Sequence, residues 1–346
     1  MTSHPVRQRV PLPGISSRAW EHPADKGALV ALRKLKGFDT LLKRLSGLFN
    51  ERAVRLQYLG SAIRVDERQY PFLHVLLLEA ATGLDAQEVP ELYVVANPFP
   101  NAVTIGMDKP IIVVTSGLVD LLDEEEMRFV LGHEVGHALS GHAVYQTLLI
   151  RALTLSGALL LLSIAIRLII AALMEWSRKA ELSADRAGLL ATQDPAVAFR
   201  VHMKLASGGQ LEHLDTPSFF AQGQEYDASG DLRDSLLKLL LVERATHPFT
   251  VVRASELRKW VDSGAYTRVL SGDYPRREDD DSADMSEAAQ EAARHYAEAF
   301  RQSQDALTKL LRDLSGLAGS VRDWMGGAFG NKTNGDDDNG SDGKQN

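Results

Sequence analysis

The sequence contains no cysteine among its 346 residues. Disulfide bonds, thiolate metal ligands and cysteine nucleophiles are therefore excluded, and this absence fits a cytoplasmic protein. The sequence also lacks any block of basic residues interleaved with aromatic residues, and its net charge is −8. Nucleic-acid-binding proteins carry such basic patches, so no nucleic acid is expected among the partners.

Two of the ten histidines enclose a glutamate in the motif His133-Glu134-Val-Gly-His137. On a helix, residues four apart lie on one face, so the two imidazoles can bind a single zinc ion. The glutamate between them is the residue type that activates a zinc-bound water. Asp123 and Glu126 have the spacing of a capping box at the start of this helix. The pattern predicts a capped helix with a zinc site in its second half.

A catalytic zinc also needs a third protein ligand. Ser140 and Ala143 stand where a metzincin carries glycine and histidine, so that extension of the motif is missing. His142 is out of register and is interpreted as an ordinary polar residue at the helix end, where a cation meets the negative pole of the dipole. Glu181 and Asp185 are four apart and share a helix face. We expect Glu181 to bind zinc and Asp185 to hold a ligand histidine; a solvated acidic stripe is the alternative.

Together these motifs resemble peptidase family M48, the HtpX and CAAX-prenyl-endopeptidase metallopeptidases. The resembling elements are Asn97–Gly106, Val114–Leu118, His133–His137, Glu181–Asp185, and Thr246–Pro248 followed by Arg253. The resemblance implies zinc endopeptidase activity with one Zn²⁺ per chain and Glu181 as the third ligand. It further implies that His247 and Arg253 face the cleft and stabilise the oxyanion. Val103 replaces the usual aromatic residue of the family's strand motif.

The substrate site is expected beside a small sheet. Residues 91–96 and 110–115 are rich in valine, isoleucine and tyrosine, which is typical of strands. An edge strand between them can pair with an extended peptide, which favours polypeptide substrates. The residues expected on this strand are Asn101, Ala102, Val103 and Thr104.

The predicted function is peptide-bond hydrolysis by a zinc-bound water that Glu134 deprotonates before passing the proton to the leaving amine. A role in protein quality control follows from the family resemblance alone. The alternative is a non-catalytic, zinc-containing scaffold that acts through its C-terminal helix.

One long apolar stretch, residues 152–174, is long enough to suggest a membrane span. Geometry argues against a single crossing, because His137 precedes the stretch and Glu181 follows it, yet both must reach one metal ion. We therefore predict a mainly α fold with a small β-sheet (α+β) and a long antiparallel helical hairpin. The active-site helix is expected to continue to about Thr154, turn at residues 155–157 and return to Glu181. Protein is favoured over lipid as the cover of the apolar surface.

Composition divides the chain into six regions. These are an irregular arm (1–25), a helical region (26–89), the zinc metallopeptidase domain (90–270), an acidic linker (271–283), an amphipathic helix (284–326) and a disordered tail (327–346). The expected location is cytoplasmic, with peripheral attachment at the inner membrane face left open. A membrane surface or a second copy of the chain can bind either the hairpin, 152–174, or the helix segment 305–325.

Overall fold

A computed structural model describes residues 8–35, 37–47, 50–154, 164–229 and 249–301 of the chain. The described residues as far as 300 belong to one compact unit, which is mainly helical with a small sheet, as predicted. His247, the predicted turn at 155–157, the helix segment 305–325 and the predicted tail lie outside the described residues.

The N-terminal part is helical with one short strand. Its elements are α1 (Pro23–Arg33), α2 (Phe38–Gly47), α3 (Glu51–Ser61), β1 (Ile63–Arg64) and α4 (Pro71–Gly83). Helix α1 begins inside the predicted irregular arm, because Pro23 occupies the first helical turn and His22 accepts a hydrogen bond from the backbone of Ala24. The arm itself packs into the core through Ile15 and Trp20, each 1% exposed.

The sheet contains three further strands, β2 (Glu91–Val95), β3 (Ala102–Ile105) and β4 (Ile111–Thr115), in the order β1-β2-β4-β3. Strand β4 runs parallel to β2 and antiparallel to β3. All five residues of β4 are buried, since helices cover both faces of the sheet at its centre. The two predicted strands are confirmed, and β3 lies at the edge of the sheet among the described residues.

The other α-helices of the described residues follow β4 in the chain. They are α5 (Ser116–Leu121), α6 (Glu124–Leu139), α7 (His142–Thr154), α8 (Ile164–Thr192), α9 (Pro195–Ser207), α10 (Thr216–Ser229), α11 (Thr250–Asp262), α12 (Ala265–Leu270) and α13 (287–301). The predicted capping box at the start of α6 is confirmed. The prediction that this helix runs unbroken to Thr154 is wrong. It ends at Leu139, and Gly141 adopts a left-handed conformation, φ +69°, before α7 begins.

Other helices of the protein cover the two ends of the apolar stretch, residues 152–153 and 169–174. Ile170 and Leu173 of α8 are buried in a cluster with Leu32 of α1 and with Tyr296 and Phe300 of α13. The N-terminal and C-terminal helices thus contribute to one core with the returning arm of the hairpin. Among the described residues, no helix is both long and apolar enough to cross a membrane.

Candidate metal centre

Small residues allow α6 and α8 to pack closely. A Cβ atom added at Gly132 would lie 2.3 Å from the Cβ of Ala191, and one added at Gly136 would lie 2.4 Å from the Cβ of Ala187. Any larger residue at these glycines would force the helices apart. The close approach places the face of α8 that carries Glu181 directly against the histidine face of α6.

His133, His137 and Glu181 meet at this contact and are all buried. The two Nε2 atoms are 3.1 Å apart, and the Glu181 oxygens lie 3.2 Å from His137 Nε2 and 3.5 Å from His133 Nε2. Ligands about 2.1 Å from a tetrahedral zinc are roughly 3.4 Å from each other. Two imidazole nitrogens this close also need a proton or a cation between them. The donor set therefore fits a zinc ion.

Asp185 lies behind the cluster, one helical turn from Glu181. Its Oδ1 is 3.0 Å from His133 Nδ1, and its Oδ2 accepts a 2.8 Å hydrogen bond from Arg253 Nε. The Nη1 atom of Arg253 lies 3.0 Å from Glu181 Oε2. Burial opposes ionisation of Asp185, but Arg253 and His202 lower its pKa well below the usual range. Arg253, expected from the family resemblance to face the oxyanion, is thus held by the two carboxylates.

The two histidines have different electrostatic surroundings. Burial disfavours a charged imidazole at both, but Asp185 and Glu181 together raise the pKa of His133 to about 9. Burial lowers the pKa of His137 to about 4, with Glu181 opposing this shift only in part. The two carboxylates outnumber the single guanidinium of Arg253, so the local charge favours a cation.

A cleft of about 440 Å³ opens beside the cluster. Its lining includes Ala102 and Asn101 near β3, Glu134 of α6, His202 of α9 and Arg253 of α11. Strand β3, the last strand of the described sheet, therefore borders the space beside the candidate metal ligands and the candidate general base.

Thr104, expected on the substrate strand, connects β3 to that base. Its hydroxyl donates to Glu134, with Oγ1 lying 2.6 Å from Oε2 and 2.9 Å from the backbone oxygen. The side chains of Ala102 and Thr104 are buried, while that of Val103 is half-buried. Alternation along the strand thus directs the Thr104 side chain toward α6.

The interpretation of His142 as an ordinary polar residue at a helix end is wrong. It is 4% exposed and is the first residue of α7, directly after Gly141, which has a left-handed φ. Its Nδ1 lies 3.0 Å from Nδ1 of His137, and its Nε2 lies 3.0 Å from Oδ2 of Asp25. Helical periodicity gave no signal for this contact, which depends on the break between α6 and α7.

His202 is another residue at the site that the sequence patterns did not single out. It is fully buried, packs edge-on against Phe129 and lies with its Nε2 3.6 Å from Asp185 Oδ2. Burial lowers the pKa of His202 to about 4, so the ring is neutral at physiological pH. A histidine among apolar neighbours on α9 has no motif that distinguishes it from a core residue.

Comparison with known proteins agrees with this geometry. The model of peptidase family M48 matches residues 67–261. A plastoglobule-localized, chloroplastic metallopeptidase 48 of Arabidopsis thaliana is 36% identical over 260 residues, which cover 72% of this chain and 74% of the relative.

Two bacterial proteins match over shorter regions. A protease HtpX homolog of Dictyoglomus thermophilum is 33% identical over 32% of this chain and 39% of its own length. A protease HtpX homolog of Kineococcus radiotolerans is 39% identical over a region that covers 21% of this chain and 25% of its own length. No solved structure matches the chain. From the family match, the long alignment with the plant relative and the His-His-Glu cluster, we conclude that the chain belongs to peptidase family M48, the zinc metallopeptidases.

Proposed function

We propose that the protein is a zinc-dependent endopeptidase with its catalytic centre at His133, His137, Glu134 and Glu181. The observation that carries the proposal is the convergence of two Nε2 atoms and one carboxylate beside a cleft that Glu134 also lines. A site with a structural role alone needs no general base in an open cleft. The stoichiometry proposed is one zinc ion per chain.

The chain's own residues perform the proton transfers in this proposal. Zinc, when bound, acidifies water and polarises the peptide carbonyl. Glu134 takes the proton of the attacking water and returns it to the departing amine. Thr104 orients the Glu134 carboxylate through its 2.6 Å hydrogen bond. Asp185 keeps the His133 ring in place, and Arg253 neutralises the charge of Asp185 and Glu181.

The substrate is proposed to bind along β3 as an added strand. Strand β3 is the last strand of the described sheet and borders the cleft, and its register with β4 runs from Ala102–Val114 to Ile105–Ile111. An extended peptide held by its backbone needs no free terminus, and this favours endopeptidase over exopeptidase action. Asn101 and Val103 lie at positions to contact such a peptide, and His247 stays a proposed oxyanion donor.

A matched pair of variants tests the function. Glu134→Gln should retain zinc and lose nearly all cleavage of an unfolded protein such as casein. Glu124→Gln removes an exposed carboxylate from the first turn of the same helix and should leave cleavage unchanged. Equal activity of Glu134→Gln and the wild type would remove Glu134 from its role. Zinc binding without cleavage by the wild type would favour the scaffold alternative.

A peptide with both termini blocked separates endopeptidase from exopeptidase action. Cleavage of an internally quenched, acetylated and amidated peptide supports strand addition at β3. Cleavage that needs a free terminus would contradict it. We further propose a role in protein quality control and a cytoplasmic location with peripheral membrane contact; fractionation of cells that express the chain tests the latter.

A further inference from the structure

Asp25 is a buried carboxylate that the proposed hydrolysis does not use. It lies in the first turn of α1, is 2% exposed and precedes the part of the chain that matches the family model. A charged group in such surroundings is costly unless hydrogen-bond donors surround it. Its partners therefore indicate what the residue does.

Three donors converge on this carboxylate. Trp176 Nε1 donates to Oδ1 at 2.9 Å, and Ser183 Oγ donates to Oδ2 at 2.6 Å. The third is His142, whose Nε2 lies 3.0 Å from Oδ2. Burial alone would favour the protonated acid, but His142 and the two other donors lower the pKa of Asp25 below its usual value. The residue is therefore an anion at physiological pH.

The other nitrogen of His142 reaches a candidate metal ligand. Its Nδ1 lies 3.0 Å from Nδ1 of His137, while Nε2 of His137 faces His133 and Glu181. The amide of Gln146 is more distant, with Nε2 3.4 Å from the same Nδ1. His142 thus makes the closer contact and stands between His137 and the Asp25 carboxylate.

One arrangement of protons satisfies every atom in this row. A cation at Nε2 of His137 leaves the ring proton on Nδ1, which then donates to Nδ1 of His142. His142 consequently carries its own proton on Nε2 and donates it to Asp25. The order of groups is carboxylate, imidazole, imidazole, metal position.

We propose that Asp25 and His142 are positioning residues for His137, fixing the orientation of its ring and raising its basicity toward the metal ion. The proposal rests on the metal centre of the proposed function. It also gives each ligand histidine its own carboxylate, since Asp185 contacts His133 directly and Asp25 acts on His137 through His142. Carboxylates placed in this way strengthen metal binding by about 10-fold to 100-fold.

Metal binding by the full-length chain tests the proposal without reference to catalysis. Zinc affinity is measured by competition with a chromophoric chelator, and the visible absorption of the cobalt(II) form reports ligand geometry. Asp25→Asn should bind zinc about tenfold or more weakly and should alter the cobalt bands. His142→Asn keeps an acceptor near Nδ1 but loses the link to Asp25, so a similar loss is expected. His142→Leu should bind more weakly still.

Glu175→Gln is the matched control. Glu175 is a buried carboxylate on α8, 2% exposed and paired with Arg178 and Lys179, and makes no contact with this row of groups. The variant should lose thermal stability while its zinc affinity and cobalt spectrum stay those of the wild type. A general loss of packing in the core would instead weaken zinc binding in Glu175→Gln and Asp25→Asn alike, and that result would overturn the proposal.

Two outcomes separate this proposal from the proposed function. A wild-type chain that binds no zinc would overturn both. If the wild type binds zinc and a folded Asp25→Asn variant binds it equally well, with an unchanged cobalt spectrum, only the role of Asp25 is overturned. Should Asp25→Asn fail to fold, as judged by near-UV circular dichroism, His142→Asn decides by the same two measurements.

Discussion

Gly136 of α6 packs directly against Ala187 of α8, so closely that a Cβ on the glycine would lie 2.4 Å from the Cβ of the alanine. The contact lies next to His137 in the chain and about two helical turns from Glu181. His137 on α6 and Glu181 on α8 are candidate ligands of one metal ion. Helix separation and ligand geometry are therefore coupled, because Glu181 can reach the histidines only when the helices are close.

Gly136→Ala should consequently weaken both folding and zinc binding. The added methyl group overpacks the helix contact, and we expect the free energy of unfolding to fall by about 1–3 kcal/mol. Zinc affinity should fall with it because α8 moves outward. Urea titration and chelator competition measure the two effects. Gly60→Ala, at a position of α3 with open space around it, is the control and should be neutral or slightly stabilising. Equal behaviour of both variants would contradict the coupling.

Asp185 and Arg253 should act as a pair in the support of His133. Asp185→Asn should weaken zinc binding by about 10-fold to 100-fold, since His133 loses its anionic acceptor. Arg253→Gln leaves two buried carboxylates without their counterion and should also destabilise the fold. The double variant is expected to be less unstable than the sum of the single effects, as a double-mutant cycle of urea titrations will show. Strict additivity would mean that the two side chains act independently.

Thr104 should affect the catalytic rate without affecting the metal. In Thr104→Val the Glu134 carboxylate loses its hydrogen bond, and we expect kcat to fall by about 10-fold to 150-fold, since such a bond to a charged group is worth about 1.5–3 kcal/mol. Zinc content should not change. Thr104→Ser restores the hydroxyl and should recover most of kcat. A serine variant as slow as the valine variant would point to packing rather than to the hydrogen bond.

Glu256 should make the contact between the N-terminal arm and α11 sensitive to acid. His22 Nε2 lies 3.5 Å from Glu256 Oε2. The hydrogen bond with His22, together with Lys259, lowers the pKa of Glu256 to about 2, although burial acts in the opposite direction. A lowered pKa means that the carboxylate stabilises the fold fully above pH 4.5 and loses this effect as the pH falls toward about 2.

The test compares wild type with Glu256→Gln in urea titrations across this pH range. The wild type should be more stable at neutral pH, by no more than about 2 kcal/mol given the partial exposure of the group. This advantage should shrink steadily below pH 4.5. A difference that stays constant down to pH 2.5 would show that the pKa of Glu256 is not lowered on folding.

The sequence predicted those parts of the site that follow from spacing along one helix. His133 and His137 are four apart on α6, and Glu181 and Asp185 are four apart on α8, so each pair shares a face wherever its helix lies. The capping box of Asp123 and Glu126 is equally local. Strands β2 and β4 were also predictable, since their continuous apolar runs are typical of central strands.

Predictions were wrong where the chain changes direction. Apolar residues continue beyond Leu139, and from that pattern a continuous helix to Thr154 was expected. Gly141 adopts a positive φ instead, and His142 begins α7 as a buried residue. Periodicity within a helix does not indicate where the backbone adopts a positive φ. The wrong prediction of one continuous helix therefore also gave a wrong prediction of the surroundings of His142.

By itself, the sequence determined the metallopeptidase family, the candidate ligand set and the helices that carry it, because regular spacing and local capping are properties of neighbouring residues. Only the tertiary structure decided which distant side chains support that set: Asp25 through His142, Thr104 on Glu134, and Arg253 between Asp185 and Glu181. The contact of Thr104 with Glu134 joins residues 30 positions apart, and that of Asp25 with His142 joins residues 117 positions apart (142 − 25). They form when charged and polar groups are buried between packed helices. The spacing of residues along the sequence does not indicate which of these groups will meet.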